Sequence, residues 1–275
     1  MKKNHSIKFK TKSDTNGLAA SLIAIKEVCD KHELFFWLNY GALLGMVRED
    51  RLLPWNNDVE LSCWADEASN NKIKQITDVL IGMDYNCFYY RSVGTLSIKK
   101  GDLIDINLNL YWSSGSFAVR PHETPSKFRW PHLFASIFYW LAVFMYIYPN
   151  KFPHSSIKKR FKDRIKIAVM RVFSWFSSGT RESYFNKLLS WSEFFGGTFQ
   201  QTGIPAAYFS RFTTRKFYGA EMNVPYRSAE LLALIYGEDW VIPKDNWSFY
   251  DEKNKPHSGI VFINERFNYS QIDMS

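Results

Sequence analysis

Cysteine is scarce in this chain. There are three among 275 residues, Cys29, Cys63 and Cys87, an odd number with no paired metal spacing. No disulfide framework follows from such a set, and a reduced, cytoplasmic setting is the expectation. Histidine pairs are missing as well: His32, His122, His132, His154 and His257 are scattered, with no two at metal-ligand spacing, so surface or packing roles are expected for each. The stretch Met1–Ser13 is basic and polar and lacks the apolar core of a secretory leader, so nothing in it points to export. No internal repeat, low-complexity tract or recognised nucleic-acid-binding module is found, and nucleic acid is not an expected partner.

What the chain has is apolar and aromatic side chains. Hydrophobic residues make up 46%, enough for a buried core in one elaborated domain or two small ones. Aromatics make up 17%, and amphipathic Tyr and Trp rings favour places where apolar and wet surroundings meet. The charge is uneven. Lys127–Arg171 holds ten Lys or Arg against the single Asp163, whereas the whole chain carries +8, so the excess positive charge sits in that segment. Within it, Leu133–Tyr148 runs for sixteen residues with only Ser136 polar. As a helix that run covers roughly 24 Å at about 1.5 Å per residue, short of a ~30 Å hydrocarbon layer. Next come Ile157, Phe161, Ile165, Val172 and Phe176 among Lys158, Lys159, Arg160, Lys162, Arg164 and Lys166, the pattern of a basic amphipathic helix made for an anionic membrane surface.

Outside that segment the pattern is mixed. Leu18, Leu22, Ile25 and Cys29 recur at helical spacing behind Ser13–Asn16, predicting a helix over 17–32. A short buried strand is expected at 35–39, a helix start at 41–47, a loop at 48–57 and a strand at 59–63. A helix with Ile73, Ile76 and Leu80 on its inner face is expected over 66–81. Segments 85–91 and 95–99 read as a hairpin and 103–112 as a longer strand, with Asp105, Asn107 and Asn109 on one face. Three parts are expected: 1–125 as a core with the metal site, 126–180 as a helical, apolar and basic insert, and 181–275 packing on the core.

The chemistry concentrates at Pro54-Trp55-Asn56-Asn57-Asp58-Val59-Glu60. Asp58 and Glu60 stand one residue apart in an apolar run, so on a strand they point the same way and can clamp a cation. Just upstream, Leu38–Arg48 contains Gly41 and Gly45, where small residues allow close approach of backbone to a ligand, and Arg48, whose guanidinium suits phosphate. Together these read as a metal and phosphate-ester site.

These residues carry a resemblance. Tyr40, Gly41, Leu43, Leu44, Gly45, Arg48, Pro54, Trp55 and Asp58 are similar to the hallmark of the LicD/fukutin family, approximately YGTLLGxxR, a short loop and PWDDDID. Phe217–Pro225, Leu231-Leu232, Tyr236–Trp240 and Pro243 resemble its second signature. The resemblance implies an α+β, nucleotidyltransferase-like mixed sheet with flanking helices. It also implies transfer of phosphocholine, phosphoethanolamine or an alditol phosphate from a CDP-linked donor to a cell-surface or lipid-linked glycan acceptor. Asp58, Glu60 and Asp105 would hold Mg²⁺, Gly41, Gly45 and Arg48 would seat the donor phosphates, and Trp55 would hold the acid-bearing loop. The chain departs from the hallmark at Asn56, Asn57 and Glu60. A catalytically degenerate, membrane-associated nucleotide-binding homologue is therefore the alternative, and a peripheral membrane scaffold a third reading. The expected location is the cytoplasm, peripheral on the inner face of the membrane.

Overall fold

The computed structural model describes residues 12–54, 56, 58–90, 93–124, 132–144, 147–149, 175–195, 198–243 and 260–263. Helix α1 (Lys12–Lys31) buries Leu18, Leu22, Ile25 and Cys29, the stripe its spacing predicts, but begins a turn early and takes Ser13–Asn16 into its first turn. The strand expected at 35–39 shrinks to β1 (Trp37–Leu38), because Asn39 leaves it to cap α2 (Tyr40–Glu49). Strand β2 (Asp58–Trp64) follows. Helix α3 (Asn70–Gly82) starts later than expected because Ser69 caps it, accepting the Lys72 amide at 3.3 Å, and it buries Ile73, Ile76 and Leu80.

The remaining elements build a mixed sheet. Strands β3 (Asn86–Tyr90) and β4 (Thr95–Lys99) form the expected antiparallel hairpin, with Asn86 opposite Lys99. Strand β5 (Asp105–Ser114) is the spine: its first seven residues run parallel to β2, its other edge pairs antiparallel with β4, and its last three residues pair with β6 (Phe117–Thr124). Strands β8 (Thr198–Pro205) and β11 (Val261–Ile263) extend the sheet beyond β6. The fold is thus α+β, a mixed sheet flanked by helices, and among the described residues there are six α-helices.

The apolar run at 133–148 is divided. Helix α4 (His132–Phe144) takes most of it, and β7 (Ile147–Pro149) pairs with the free edge of β3, with Tyr148 opposite Tyr89. Helix α5 (Ser178–Phe194) packs on α4 through Phe138 against Trp191 (ring centroids 5.2 Å) and through the Ser192 hydroxyl, which donates to the Ala135 carbonyl at 2.7 Å. Among the described residues no helix is long and apolar enough to cross a membrane. The basic amphipathic helix expected from Ile157 onward lies outside the described residues, except that Trp175–Ser177 form a turn leading into α5.

Near the C-terminus, β9 (Phe212–Phe217) and β10 (Ala220–Pro225) form a hairpin closed by Tyr218-Gly219, both at positive φ (50° and 89°). Two positive-φ residues match the twist of a two-residue hairpin loop. The Tyr218 hydroxyl accepts the Leu52 amide at 2.9 Å, and the Asn223 amide donates to the Phe36 carbonyl at 2.9 Å, which ties the hairpin to the chain on both sides of α2. Helix α6 (Ser228–Tyr236) packs beside α2 and ends at Gly237, whose amide returns to the Ala233 carbonyl at 2.9 Å. Much of the aromatic content is spent inside the molecule: Trp37 contacts Phe209 (5.2 Å), Phe212 (5.0 Å), Trp64 (5.7 Å) and Tyr111 (6.3 Å), centroid to centroid.

Candidate active site

Alternation along three neighbouring strands places polar side chains on one face of the sheet. Strand register aligns Asp58 with Asp105, Glu60 with Asn107 and Ser62 with Asn109 across β2 and β5, and aligns Asn107 with Ser97 and Asn109 with Thr95 across β5 and β4. Lys99, one step beyond on β4, closes the row of Asp58 and Asp105 through an ion pair with Asp105 at 3.1 Å. The acids, Asn107, Ser97 and Lys99 are half-buried, whereas Ser62 and Asn109 are buried. Apolar partners such as Leu61, Ile106 and Leu108 take the opposite face into the core.

The three predicted acids therefore share this face, and β2 and β5 set Asp58 and Asp105 side by side. Their carboxylates have different partners. Asn107 donates its amide to Asp58 Oδ2 at 2.8 Å, while Asp105 is held by Lys99. Among the described residues no group of three His, Cys, Asp or Glu side chains is arranged to hold a metal ion. Burial first, and then the charge of Asp58, pushes the Glu60 carboxyl up to about 8, against the pull of Arg120 and the Gly41 backbone amide. Burial also raises Asp58, with Asp105 adding repulsion and Asn107 and Arg120 opposing it. Two acids held toward their neutral forms by burial and by a neighbouring carboxylate, Asp105 for Asp58 and Asp58 for Glu60, with only hard oxygens at their tips, are a donor set that suits a divalent cation such as Mg²⁺.

The N-terminus of α2 closes this face from above. Asn39, fully buried, donates to Ser62 Oγ at 3.0 Å, and its side-chain oxygen accepts the Tyr40 amide at 2.9 Å. Tyr40 sits at φ 43°, a left-handed backbone that costs a bulky residue about 1–2 kcal/mol. Its ring is buried and its hydroxyl lies 3.0 Å from that of Tyr111. The glycines are closely packed: a Cβ on Gly45 would stand 2.4 Å from the Arg51 carbonyl oxygen, and one on Gly41 2.1 Å from the Asn56 side-chain nitrogen. Arg48 directs its guanidinium to Glu49, at 2.8 Å, and to the Trp240 carbonyl, at 3.2 Å. Trp55 and Asn57 lie outside the described residues.

Two further residues bear on the acids: Arg120, which lies outside both motifs, and Tyr236, which belongs to the second signature. Tyr236, at the end of α6, has its hydroxyl raised well above the usual range, by burial and then by the nearby charge of Glu60, with Arg48 opposing. Arg120, on β6, donates through Nη2 to Asn109 Oδ1 at 3.0 Å and to Thr95 Oγ1 at 3.2 Å. The second signature holds Tyr236 without saying that it lies beside Glu60, and for Arg120 the sequence signal is alternation alone, since β6 carries no acid motif to draw attention to it.

Residues 33–110 match the model of the LicD/FKTN/FKRP nucleotidyltransferase domain, a segment that holds Gly41, Gly45, Arg48, Asp58, Glu60 and Asp105. The resemblance read from the hallmark residues is thereby borne out. The chain is similar to a lipopolysaccharide cholinephosphotransferase LicD of Haemophilus influenzae, with 21% identity over 256 residues, covering 84% of this chain and 89% of that protein. Among solved structures it is similar to ANT(2")-Ia in complex with adenylyl-2"-tobramycin, at 12% identity and a TM-score of 0.28, covering 63% of this chain and 98% of that one. A solution structure of antibiotic-resistance factor ANT(2'')-Ia matches with a TM-score of 0.30 over 64% of this chain and 91% of the other, again at 12% identity.

Proposed function

We infer that this chain, carrying a LicD-type nucleotidyltransferase domain, is a transferase that moves a phospho-substituent from a CDP-activated donor to a cell-surface or lipid-linked glycan. Phosphocholine delivered to a lipopolysaccharide glycan is the first candidate, from the cholinephosphotransferase it resembles. Phosphoethanolamine and alditol phosphates are the alternatives. The observation that carries the reading is the acid pair Asp58 and Glu60 on one strand face, with Asp58 level with Asp105 across a parallel ladder.

Asp58 and Glu60, joined by Asp105 when Lys99 releases it, would hold Mg²⁺. Bound there, the ion supplies charge neutralisation for the departing CMP. The chain's own groups keep the acids in place: the Gly41 amide supports Glu60, and the Asn107 amide orients Asp58. In the transfer, the acceptor hydroxyl oxygen forms a new bond to the phosphorus of the transferred group. The phosphoanhydride bond breaks, CMP leaves with its electron pair, and the hydroxyl proton passes to a base. Asp105 is the candidate base where one of its oxygens stays free. Fixed positions and local charge, rather than covalent chemistry, carry such a reaction. The work belongs on the cytoplasmic side of a membrane, where nucleotide-activated donors are made.

The test is CMP release from CDP-choline, CDP-ethanolamine and CDP-alditols, with and without Mg²⁺ and with candidate glycans. One donor should give Mg²⁺-dependent release that an acceptor accelerates. A folded protein that releases CMP from none of them refutes the assignment.

A nucleotide-binding homologue without turnover is a second reading, favoured by Asn56 and Asn57 in place of acids and by the Lys99 ion pair on Asp105. Restoring acids with Asn57→Asp and Glu60→Asp separates the two. A silent wild type that gains turnover in the double variant is the homologue; an active wild type that merely keeps or loses activity is the enzyme.

A further inference from the structure

We propose that Arg120 is the guanidinium that receives the donor's phosphates. This deepens the transferase reading and rests on it. Arg120 is half-buried on β6, the strand that takes over from β2 at the far end of β5. From there its side chain reaches back along the polar face to Asn109 and Thr95, one row below Glu60 and Asn107. Both of those bonds use Nη2. They aim the fork without spending its other N–H groups.

No carboxylate among the described residues forms an ion pair with Arg120. Its charge nonetheless reaches the acids, for it is among the influences that favour the ionised forms of both Asp58 and Glu60. A partly buried guanidinium left without a contact ion pair is costly unless an anion arrives to complete it. With a cation loaded on the acids, the negative charge opposite Arg120 is compensated, and the face then offers a net positive position one row away. Arg120 has the planar fork that matches a phosphate in two bonds. Arg48, by contrast, already directs its fork to Glu49 and the Trp240 carbonyl.

Binding of three probes to the full-length protein, measured by calorimetry, tests this. The probes are inorganic pyrophosphate, which has no base or sugar, CDP, and cytidine, which has no phosphate. Arg120→Gln should weaken pyrophosphate and CDP about tenfold or more, as loss of a charge-assisted pair of bonds does, and leave cytidine unchanged. Arg120→Lys, keeping charge without the fork, should fall between. Arg215→Gln, on the exposed face of β9, controls for net charge. If Arg120→Gln lowers the melting temperature but the folded variant binds pyrophosphate and CDP as tightly as wild type, Arg120 only orders Asn109 and Thr95, and the proposal fails. Equal weakening of cytidine and CDP overturns it too, because the residue then shapes the pocket without holding phosphate. Absence of pyrophosphate and CDP binding in the wild type likewise overturns it. Arg120-dependent pyrophosphate binding in a protein that never releases CMP from a CDP-linked donor would sink the transferase reading while leaving this assignment standing.

Discussion

Asp58 and Glu60 carry most of the chemistry, and their environments make two predictions. Burial is the first cause of the raised Asp58 carboxyl, so Asp58→Asn removes a desolvated charge while keeping a group of the same shape for the Asn107 amide. The folded variant should match wild-type stability to within about 1 kcal/mol, yet lose the rise in melting temperature that Mg²⁺ gives the wild type. A variant still stabilised by Mg²⁺ removes Asp58 from the cation site. Glu60, pushed up to about 8 from an ordinary value of 4.5, keeps a proton in the folded protein that the unfolded chain has lost between those values. Its contribution to stability without metal is therefore complete below about pH 4.5 and lost as pH rises through about 8. A cation that needs the ionised carboxylate should reverse this, giving a larger thermal shift with Mg²⁺ at pH 8.5 than at pH 5.5. Equal shifts at both would show that Glu60 takes no part. The pairing of these acids was legible from their one-residue spacing, and Asp105 from alternation. The hold of Lys99 on Asp105 was not, since it depends on which strand lies beside β5.

Helix α2 and the hairpin above it show what local pattern conveys and what it omits. The small residues of Leu38–Arg48 were readable as permitting close approach, and the approach is real at Gly45, whose added Cβ would meet the Arg51 carbonyl oxygen at 2.4 Å. Alanine in a helix interior is ordinarily better than glycine by about 1 kcal/mol. Here the backbone contact should reverse that sign, and Gly45→Ala should destabilise by about 1–3 kcal/mol, as forced overpacking does. A denaturant midpoint at or above that of wild type would mean that the loop over α2 yields freely. Hydrophobic spacing also located α1, α3 and the β3–β4 hairpin to within a few residues, the scatter falling at ends that caps decide: Asn39 shortened a strand and Ser69 delayed a helix. The 133–148 run was misjudged as one element because apolar content alone does not separate a helix from an edge strand, and β7 exists through the vacant edge of β3.

The chain as a whole joins an acid-bearing sheet face to a segment that carries its net excess of positive charge. Beyond the described core, Lys158, Lys159, Arg160 and Lys162 lie in sequence between two described elements, α4 and α5, which expose Trp140 and Trp191 by 46% and 44% and Phe194 by 82%. We expect the full-length protein to bind anionic vesicles, with each surface-proximal Lys or Arg contributing about 1 kcal/mol. High salt should weaken the binding without abolishing it. Changing those four residues to Glu should shift the protein to the soluble fraction in a flotation assay; an unmodified protein that ignores anionic vesicles assigns the segment to internal packing. This charge asymmetry was plain in the composition. The place of Arg120 was not, because its neighbours Asn109 and Thr95 come from two other strands. The most direct test of the transferase reading is CMP release from CDP-choline by wild type and Asp58→Asn, each with Mg²⁺ and with EDTA. Release by the wild type in Mg²⁺ alone, lost in EDTA and reduced at least about 100-fold in the variant, is the predicted result. Release that persists through both EDTA and Asp58→Asn would contradict it.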